Sequence, residues 1–333
     1  MDLILKTHLR READMEEAGD ASRCDLHVHS VHSGPVDLPV LGRFGNECYS
    51  EPEAVYETAK RRGMNLVTLT DHDSIEGALR LAHLADVFVS EEVTCVLPAG
   101  RVIHLGVFDI TEAQHEAIAR RRRDAESLFA YLAEEGIPAS VNHLFSALTG
   151  RRAVSDFRVA LDSVPLVEAR NGMMPSRTNG YAASVARAGK ISPVGGSDAH
   201  TLATVARAWT VVRGARTREE FLNGLRRGLT IPAGGNGSYT RLTADVVRVF
   251  GGGYAEAARR CLETPAHAAR FATMVAAIPV LPLIPLVTAG IYLDEVLFAA
   301  LHYRRFVAAG SLRLKTPAAR GPFGQAPAAS ALG

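Results

Sequence analysis

The sequence predicts an α/β fold, because short apolar runs alternate with amphipathic helical segments from residue 24 to about residue 228. Eight of these runs have the length and composition of strands, and several of the helical segments between them end in glycine. Hydrophobic residues make up 47% and charged residues 22% of the 333 residues, which favours a chain with a large packed core. Parallel strands separated by helices can close into a barrel, in which functional groups collect at the strand carboxyl ends.

The strands and helices are predicted in a regular order. Strands are predicted at residues 24–29, 65–70, 87–93, 101–108, 138–143, 164–170, 192–197 and 207–212. Helices are predicted at residues 51–63, 75–85, 111–136, 176–189 and 218–228. On the first strand, the side-chain period of two places Asp25, His27 and His29 on one side, so Cys24 should face the helices and the core.

This order divides the chain into four predicted regions and a linker at residues 233–238. Residues 1–22 form an N-terminal extension without a signal-peptide core, and residues 23–232 form the barrel. Residues 240–316 form an apolar helical C-terminal region, and residues 317–333 form a disordered tail.

The C-terminal region contains an uncharged stretch of 23 residues, 271–293, which is long enough to span a bilayer. Pro279, Pro282 and Pro285 would interrupt a continuous helix there. Three interpretations remain open: a buried or dimerising helical hairpin, a peripheral membrane contact, and a true membrane span. A homodimer or a peripheral membrane contact would form through residues 271–305.

Composition also bounds the location and the partners. The four cysteines are scattered and form no C-x-x-C pair, which predicts reduced thiols and no disulfide framework. We therefore expect a cytoplasmic protein, with peripheral association with the membrane as the alternative. The formal net charge of +1 gives no reason to expect nucleic acid as a partner.

Histidines and carboxylates recur where the predicted strands end. The strings DLHVHS, LTDHDSIEG, SEEV, IHLG, VNH and GGSDAH each contain a nitrogen or oxygen donor. A single histidine at such a position is more often structural, but a barrel would bring all these strand ends to one mouth. A donor set without thiolate suits divalent ions such as Zn, Mn or Fe. The joint pattern therefore predicts a metal site.

The order of these strings resembles the polymerase and histidinol phosphatase (PHP) superfamily over residues 24 to 213. The resemblance implies a distorted (β/α)7 TIM-like barrel, two or three divalent ions (Zn, Mn or Fe) at its mouth, and hydrolysis of phosphate esters. By position, it implies as metal ligands His27, His29, His72, Glu92, His104, His143, Asp198 and His200. Many members carry an acid five residues after the second motif histidine, where this chain has Gly34; His32 or Asp37 is expected to take that place.

Two further residues are singled out for the chemistry. Asp71 flanks a ligand histidine and is expected to orient an imidazole. Arg170, in the string VEARNG, is expected either to touch substrate or to pair with a surface carboxylate. Other candidates for binding phosphate are Arg151, Arg152 and Arg177.

The predicted function is hydrolysis of a phosphomonoester or phosphodiester by metal-activated water, with a small phosphorylated molecule as the substrate. Two alternatives remain open. One is a 3′–5′ exonuclease acting on nucleic acid, and the other is a degenerate, non-catalytic barrel that binds a phosphorylated ligand.

Overall fold

The computed structural model describes residues 21–35, 45–150, 152–264, 271–272, 275–276 and 278–310. Within these residues the chain forms eight strands and nine α-helices, so the predicted mixed α/β class is confirmed. The predicted extension as far as residue 20 and the predicted tail lie outside the described residues, as do Asp37 and Arg151. The four domain boundaries therefore stay predictions.

The strands form two sheets. The first is antiparallel and contains, in spatial order, β1 (Ala21–Cys24), β7 (Ala208–Arg213) and β8 (Ile231–Gly234). The second contains β2 (Ser90–Val96), β3 (Val102–Phe108), β4 (Ala139–Val141), β5 (Leu166–Asn171) and β6 (Ser192–Gly196). In this sheet β3 pairs antiparallel with β2 and β4, whereas the pairs β4–β5 and β5–β6 are parallel.

The expectation of one closed ring of parallel strands is not confirmed. A five-residue connection joins β2 to β3, which is too short for a crossover, so these strands pair as a hairpin. Much of the predicted strands 24–29 and 65–70 is extended chain held by single parallel bridges, from Val28 to Ala199 and from Val67 to Val87. Strand β8 includes part of the predicted linker.

The helices are α1 (Pro52–Arg61), α2 (Glu76–Leu81), α3 (Glu112–Arg121), α4 (Ala125–Glu134), α5 (Val154–Ser163), α6 (Ser176–Gly189), α7 (Arg218–Arg226), α8 (Tyr239–Glu263) and α9 (Ile284–Ala308). The prediction of one long helix at 111–136 is wrong, because the chain breaks between α3 and α4. The Asp124 side chain accepts a hydrogen bond from the Ser127 backbone N–H and so caps a new helix.

The five-stranded sheet separates apolar from polar side chains. Val93, Leu105 and Val141 lie on one face and join the largest apolar cluster of the described residues. Because side chains alternate along a strand, Glu92 and His104 lie on the opposite face. The core therefore fixes the backbone from which the polar face projects. Cys24 is fully buried in a second apolar cluster, as predicted.

The C-terminal helices pack on this body. Phe306 of α9 is fully buried and lies edge-on to Phe157 of α5. The proline-containing stretch Ile278–Leu283 forms a 3₁₀ helix, and α9 begins after it with Pro285 in its first turn. Proline fits the first turn of an α-helix, since the backbone N–H there has no partner within the helix.

The outer face of α9 remains apolar. Among the described residues, Leu281–Ala308 is the one helical stretch whose length and composition would suit a membrane span. Its outer face exposes Leu286, Leu293, Leu297 and Leu301. Core helices of soluble proteins can pass the same test of length and composition. The homodimer and the membrane contact both stay predictions.

Candidate metal centre

Backbone hydrogen bonds bring four separate parts of the chain together at the polar face. The Thr70 N–H donates to the Val28 carbonyl at 2.9 Å. The His29 N–H donates to the Ala199 carbonyl at 3.0 Å, and the Asp198 N–H donates to the His27 carbonyl at 2.7 Å. The Glu92 N–H donates to the Asp71 carbonyl at 3.1 Å. These bonds align the strings DLHVHS, LTDHDS, SEEV and GGSDAH side by side, although few of the residues lie in regular strands.

Glu92 lies at the centre of the cluster and is fully buried. Its Oε2 atom lies 3.1 Å from His27 Nε2, 3.2 Å from His72 Nδ1 and 3.5 Å from His29 Nε2. Its Oε1 atom lies 3.1 Å from His143 Nε2 and 3.5 Å from His104 Nδ1. One oxygen of this carboxylate thus faces three imidazoles and the other faces two.

Asp198 supplies a second carboxylate on the other side of the His-x-His pair. Its Oδ1 atom lies 3.4 Å from His27 Nε2, 3.5 Å from His29 Nε2 and 3.8 Å from His200 Nδ1. Its backbone is left-handed, with φ of 54°. Such a conformation is uncommon for a residue other than glycine and is frequent at functional sites.

Four groups of potential ligands result, and within each group the donor atoms lie within 4.8 Å of one another. Their members are His27, His29 and Asp198; His27, Glu92 and His143; His72, Glu92 and His104; and His29, Glu47, His72 and His200. The groups share residues, so they describe one continuous cluster. All predicted ligands except His32 belong to it, and Glu47 joins it without having been predicted.

Several buried polar atoms of this cluster have no hydrogen-bond partner among the described residues: His27 Nε2, His29 Nε2, Glu47 Oε1, Glu92 Oε2, His104 Nδ1 and His143 Nδ1. Buried polar atoms without a partner are costly, and six of them point into one cluster. All are nitrogen or carboxylate oxygen donors, which suit a borderline or hard divalent ion. The residues therefore fit divalent ions.

The electrostatics of the cluster favour positive charge. Burial by itself would raise the pKa of Glu92 and of Asp198, but the surrounding imidazoles hold both pKa values well below their usual range. Burial by itself would lower the pKa of His27, but Glu92 and Asp198 raise it well above its usual value. Burial raises the pKa of Glu47 to about 8. Carboxylates held in so little solvent provide a strong attraction for a cation.

Glu168 orients two of the histidines. Its Oε1 lies 2.9 Å from His27 Nδ1, and its Oε2 accepts hydrogen bonds from the backbone N–H of His143 at 2.8 Å and from Asn171 Nδ2 at 2.9 Å. A carboxylate on Nδ1 fixes the ring and leaves Nε2 facing the cluster. Glu168 lies in the string VEARNG, two residues before Arg170.

Asp71 orients His29 through a serine. The Ser33 hydroxyl donates to Asp71 Oδ1 at 2.8 Å and lies 2.9 Å from His29 Nδ1. Since the Ser33 proton is directed at Asp71, the Ser33 oxygen accepts from His29 Nδ1–H, and Nε2 is left as the ligand atom. The Ser30 N–H and hydroxyl also donate to Asp71.

The structure does not bring every predicted site residue into the cluster. His32 lies with its Nδ1 atom 3.1 Å from Glu76 Oε2 and belongs to none of the four groups. Arg170 donates from Nη1 to Asn236 Oδ1 at 3.1 Å, and Arg152 is buried with bonds to the carbonyls of Val102 and Leu144. The bonds from Arg152 to these two carbonyls are structural, because they occupy N–H donors that would be needed to bind a phosphate.

Part of the cluster lies in a stretch of the chain that matches a known family. Residues 176–230, which include Asp198 and His200, match the PHP-associated family. An uncharacterised protein of Methanocaldococcus jannaschii is 31% identical over 75 residues, which are 21% of this chain and 40% of that protein. The chain thus spans well under half the length of that relative.

Two solved structures are similar in fold. PsfC from Pseudomonas syringae PB-5123 has a TM-score of 0.50 at 14% identity, over 69% of this chain and 98% of PsfC. A protein of Bifidobacterium adolescentis, provisionally described as a metal-dependent phosphoesterase, has a TM-score of 0.40 at 14% identity, over 60% of this chain and 94% of that protein.

The fold and the site define a mixed α/β protein with a candidate centre for divalent ions. Residues 176–230 match the PHP-associated family, and the ordered ligand motifs resemble those of the PHP superfamily.

Proposed function

We propose that this protein hydrolyses a phosphate ester, a phosphomonoester or a phosphodiester, at a centre of two or three divalent ions. The observation that carries the proposal is the position of Glu92, whose two carboxylate oxygens lie within 3.5 Å of nitrogens from five different histidines. When bound, such ions supply a water of lowered pKa and neutralise charge on the phosphoryl oxygens.

The chain's own groups prepare the ligand atoms. His27 holds a proton on Nδ1 toward Glu168, and His29 holds a proton on Nδ1 toward Ser33. His200 Nδ1 lies 3.1 Å from the Asp198 carbonyl oxygen, which can only accept, so Nδ1 carries the proton there as well. In the neutral ring of all three histidines Nε2 then carries the lone pair, which is the form that would bind a metal.

The same contacts hold the ligand side chains in one arrangement. Fixed tautomers and buried carboxylates keep the ligands in place before substrate enters, so little reorganisation is needed. The bridges at Val28, Val67 and His72 support a distorted barrel in which short extended segments take the place of full strands. In that arrangement the cluster occupies the mouth of the barrel, where substrate can reach it.

The test is a substrate screen of the metal-loaded protein. Protein loaded with Mn, Zn or Fe is assayed against sugar phosphates, nucleotides, histidinol phosphate and phosphotyrosine peptides. Metal-dependent release of phosphate from one class, absent in His27→Ala and retained in His32→Ala, supports the proposal. Equal hydrolysis by metal-free protein, or no hydrolysis of any class by protein with a full complement of metal, would count against it.

A further inference from the structure

The loop after the His-x-His pair closes on itself at Gly34. Pro35 forms an antiparallel bridge with Asn46, and the Glu47 N–H donates to the Gly34 carbonyl at 3.2 Å. Wherever the intervening residues lie, the chain has returned to Gly34 when it reaches Glu47. Two positions thirteen residues apart in sequence are thus neighbours in space.

Gly34 has a backbone that excludes most side chains. Its φ of 83° and ψ of −159° lie in a region that essentially only glycine occupies. An aspartate at this position would therefore be strained, although no atom of the described residues lies within 4 Å of where its Cβ would be. The local backbone is thus compatible with the absence of an acid at Gly34.

The Glu47 carboxylate points into the cluster. Its Oε1 atom lies 3.3 Å from His72 Nε2, is buried and has no hydrogen-bond partner among the described residues. With His29, His72 and His200 it forms a group whose donor atoms lie within 4.8 Å of one another. The Glu47 side chain is 16% exposed, and a cation held between its carboxylate and the three imidazoles would balance the charge of that carboxylate.

We propose that Glu47 is the acidic ligand of an ion held between His29, His72 and His200, in place of the acid missing at Gly34. The inference rests on the proposed function in that it assumes a metal centre, but it concerns the number of ions rather than the reaction. With Glu47 the chain would have ligands for three ions. The acid would come from Glu47 and not from a residue at the position of Gly34. His32 is not needed for it.

The test measures metal content and affinity in the full chain. Wild type, Glu47→Gln and Glu51→Gln are saturated with Mn, desalted and analysed by inductively coupled plasma mass spectrometry, and Mn binding is followed by calorimetry. Glu51→Gln is the matched control, because it makes the same change four residues away at an exposed glutamate that pairs with Arg80. Unfolding in chelator shows whether the variants fold equally well.

We expect Glu47→Gln to lose one equivalent of Mn, or to bind its weakest ion at least about tenfold less tightly, while Glu51→Gln matches wild type. Glu47→Asp, which keeps the charge but shortens the side chain, should retain part of that affinity. Unchanged stoichiometry and affinity in Glu47→Gln overturn the assignment, even if the protein hydrolyses phosphate esters. If Glu47→Gln loses one ion and the wild type hydrolyses no phosphate ester, the result would support the assignment and count against the proposed function.

Discussion

Glu295 of helix α9 accepts a hydrogen bond from the Ser146 hydroxyl at 2.9 Å, which joins the C-terminal region to the loop behind the metal centre. The same Oε1 atom accepts from the backbone N–H groups of Ala147 at 2.9 Å and Leu148 at 3.1 Å. The Ser146 N–H donates in turn to the carbonyl of His143, a member of the cluster. Helix α9 therefore holds the loop that carries a candidate ligand.

Replacing Glu295 should loosen this loop. Glu295→Ala leaves the Ala147 N–H and the Ser146 hydroxyl without their acceptor, so we expect a loss of about 2 to 3 kcal/mol in the free energy of unfolding. Glu295→Gln keeps an oxygen acceptor and should lose less. Urea unfolding in chelator measures both, with Glu134→Ala at an exposed helix position as the control. Equal stability of Glu295→Ala and wild type would contradict a role for α9 in holding the loop.

His27→Ala and Asp198→Ala should each remove metal and activity together. His27 belongs to two of the four groups, and Asp198 lies within 3.5 Å of the ligand nitrogens of both motif histidines. The loss of activity should exceed the roughly 10- to 100-fold effect typical of an outer partner. Metal content and phosphate release measure the two quantities, with His32→Ala as the control. Full activity in protein stripped of metal would refute this expectation.

Glu168→Gln should weaken metal binding without abolishing it. The variant replaces the carboxylate on His27 Nδ1 by a neutral amide, so the imidazole becomes a weaker and less firmly oriented ligand. We expect a decrease of about 10- to 100-fold in metal affinity, with the same number of ions bound at saturation. Calorimetric titration distinguishes this from the loss of a direct ligand, and Glu76→Gln beside His32 serves as the matched control.

Chelation should lower the melting temperature. Ions that bind the folded state alone stabilise it, by about 2.7 kcal/mol at a free concentration 100 times the Kd. For a chain of 333 residues that corresponds to a shift of roughly 4 °C. Thermal unfolding with chelator and with added Mn measures the shift, which His27→Ala should lack. A melting temperature that is independent of metal would contradict a metal-stabilised cluster.

His115 should make stability depend on pH outside the metal centre. Its hydrogen bond to Glu91, 2.9 Å long, raises the pKa of His115 above its ordinary value of about 6.5. Because the pKa is raised in the folded state, this stabilisation is complete below about pH 6.5 and is lost as pH rises through the folded-state pKa. His115→Gln should therefore destabilise the protein more at pH 6 than at pH 8.5. Exposed His83, whose Nδ1 lies 3.1 Å from the Arg80 carbonyl oxygen, provides the control His83→Gln.

Eight of the nine residues predicted as ligands lie together in the structure, because their signal is local. Each follows a short apolar run, and a run that packs into a core brings its end to the same face as its neighbours. The parallel ring was a weaker inference, since the pairing of two strands depends on the connection between them. The tight hairpin of β2 and β3 already makes that pair antiparallel.

For two residues, the sequence pattern did not predict whether the side chain belongs to the cluster. His32 lies close in sequence to His29, yet a short 3₁₀ turn at Val31–Ser33 directs it to Glu76. Glu47 lies eighteen residues from His29 and joins the same ligand group. In the sequence, Glu47 is recognisable only as an acidic residue between the loop after Gly34 and helix α1. Its immediate neighbours do not distinguish it from Glu51 or Glu53.

The sequence alone determined the α/β class, the burial of Cys24 and the identity of most candidate ligands, since hydrophobic periodicity and residue type are local properties. Only the tertiary structure decided which acid faces His72 and which helix supports the loop after His143. Those choices depend on where a loop closes and on how α9 packs. Both are set by contacts between residues far apart in the chain, which no local pattern records.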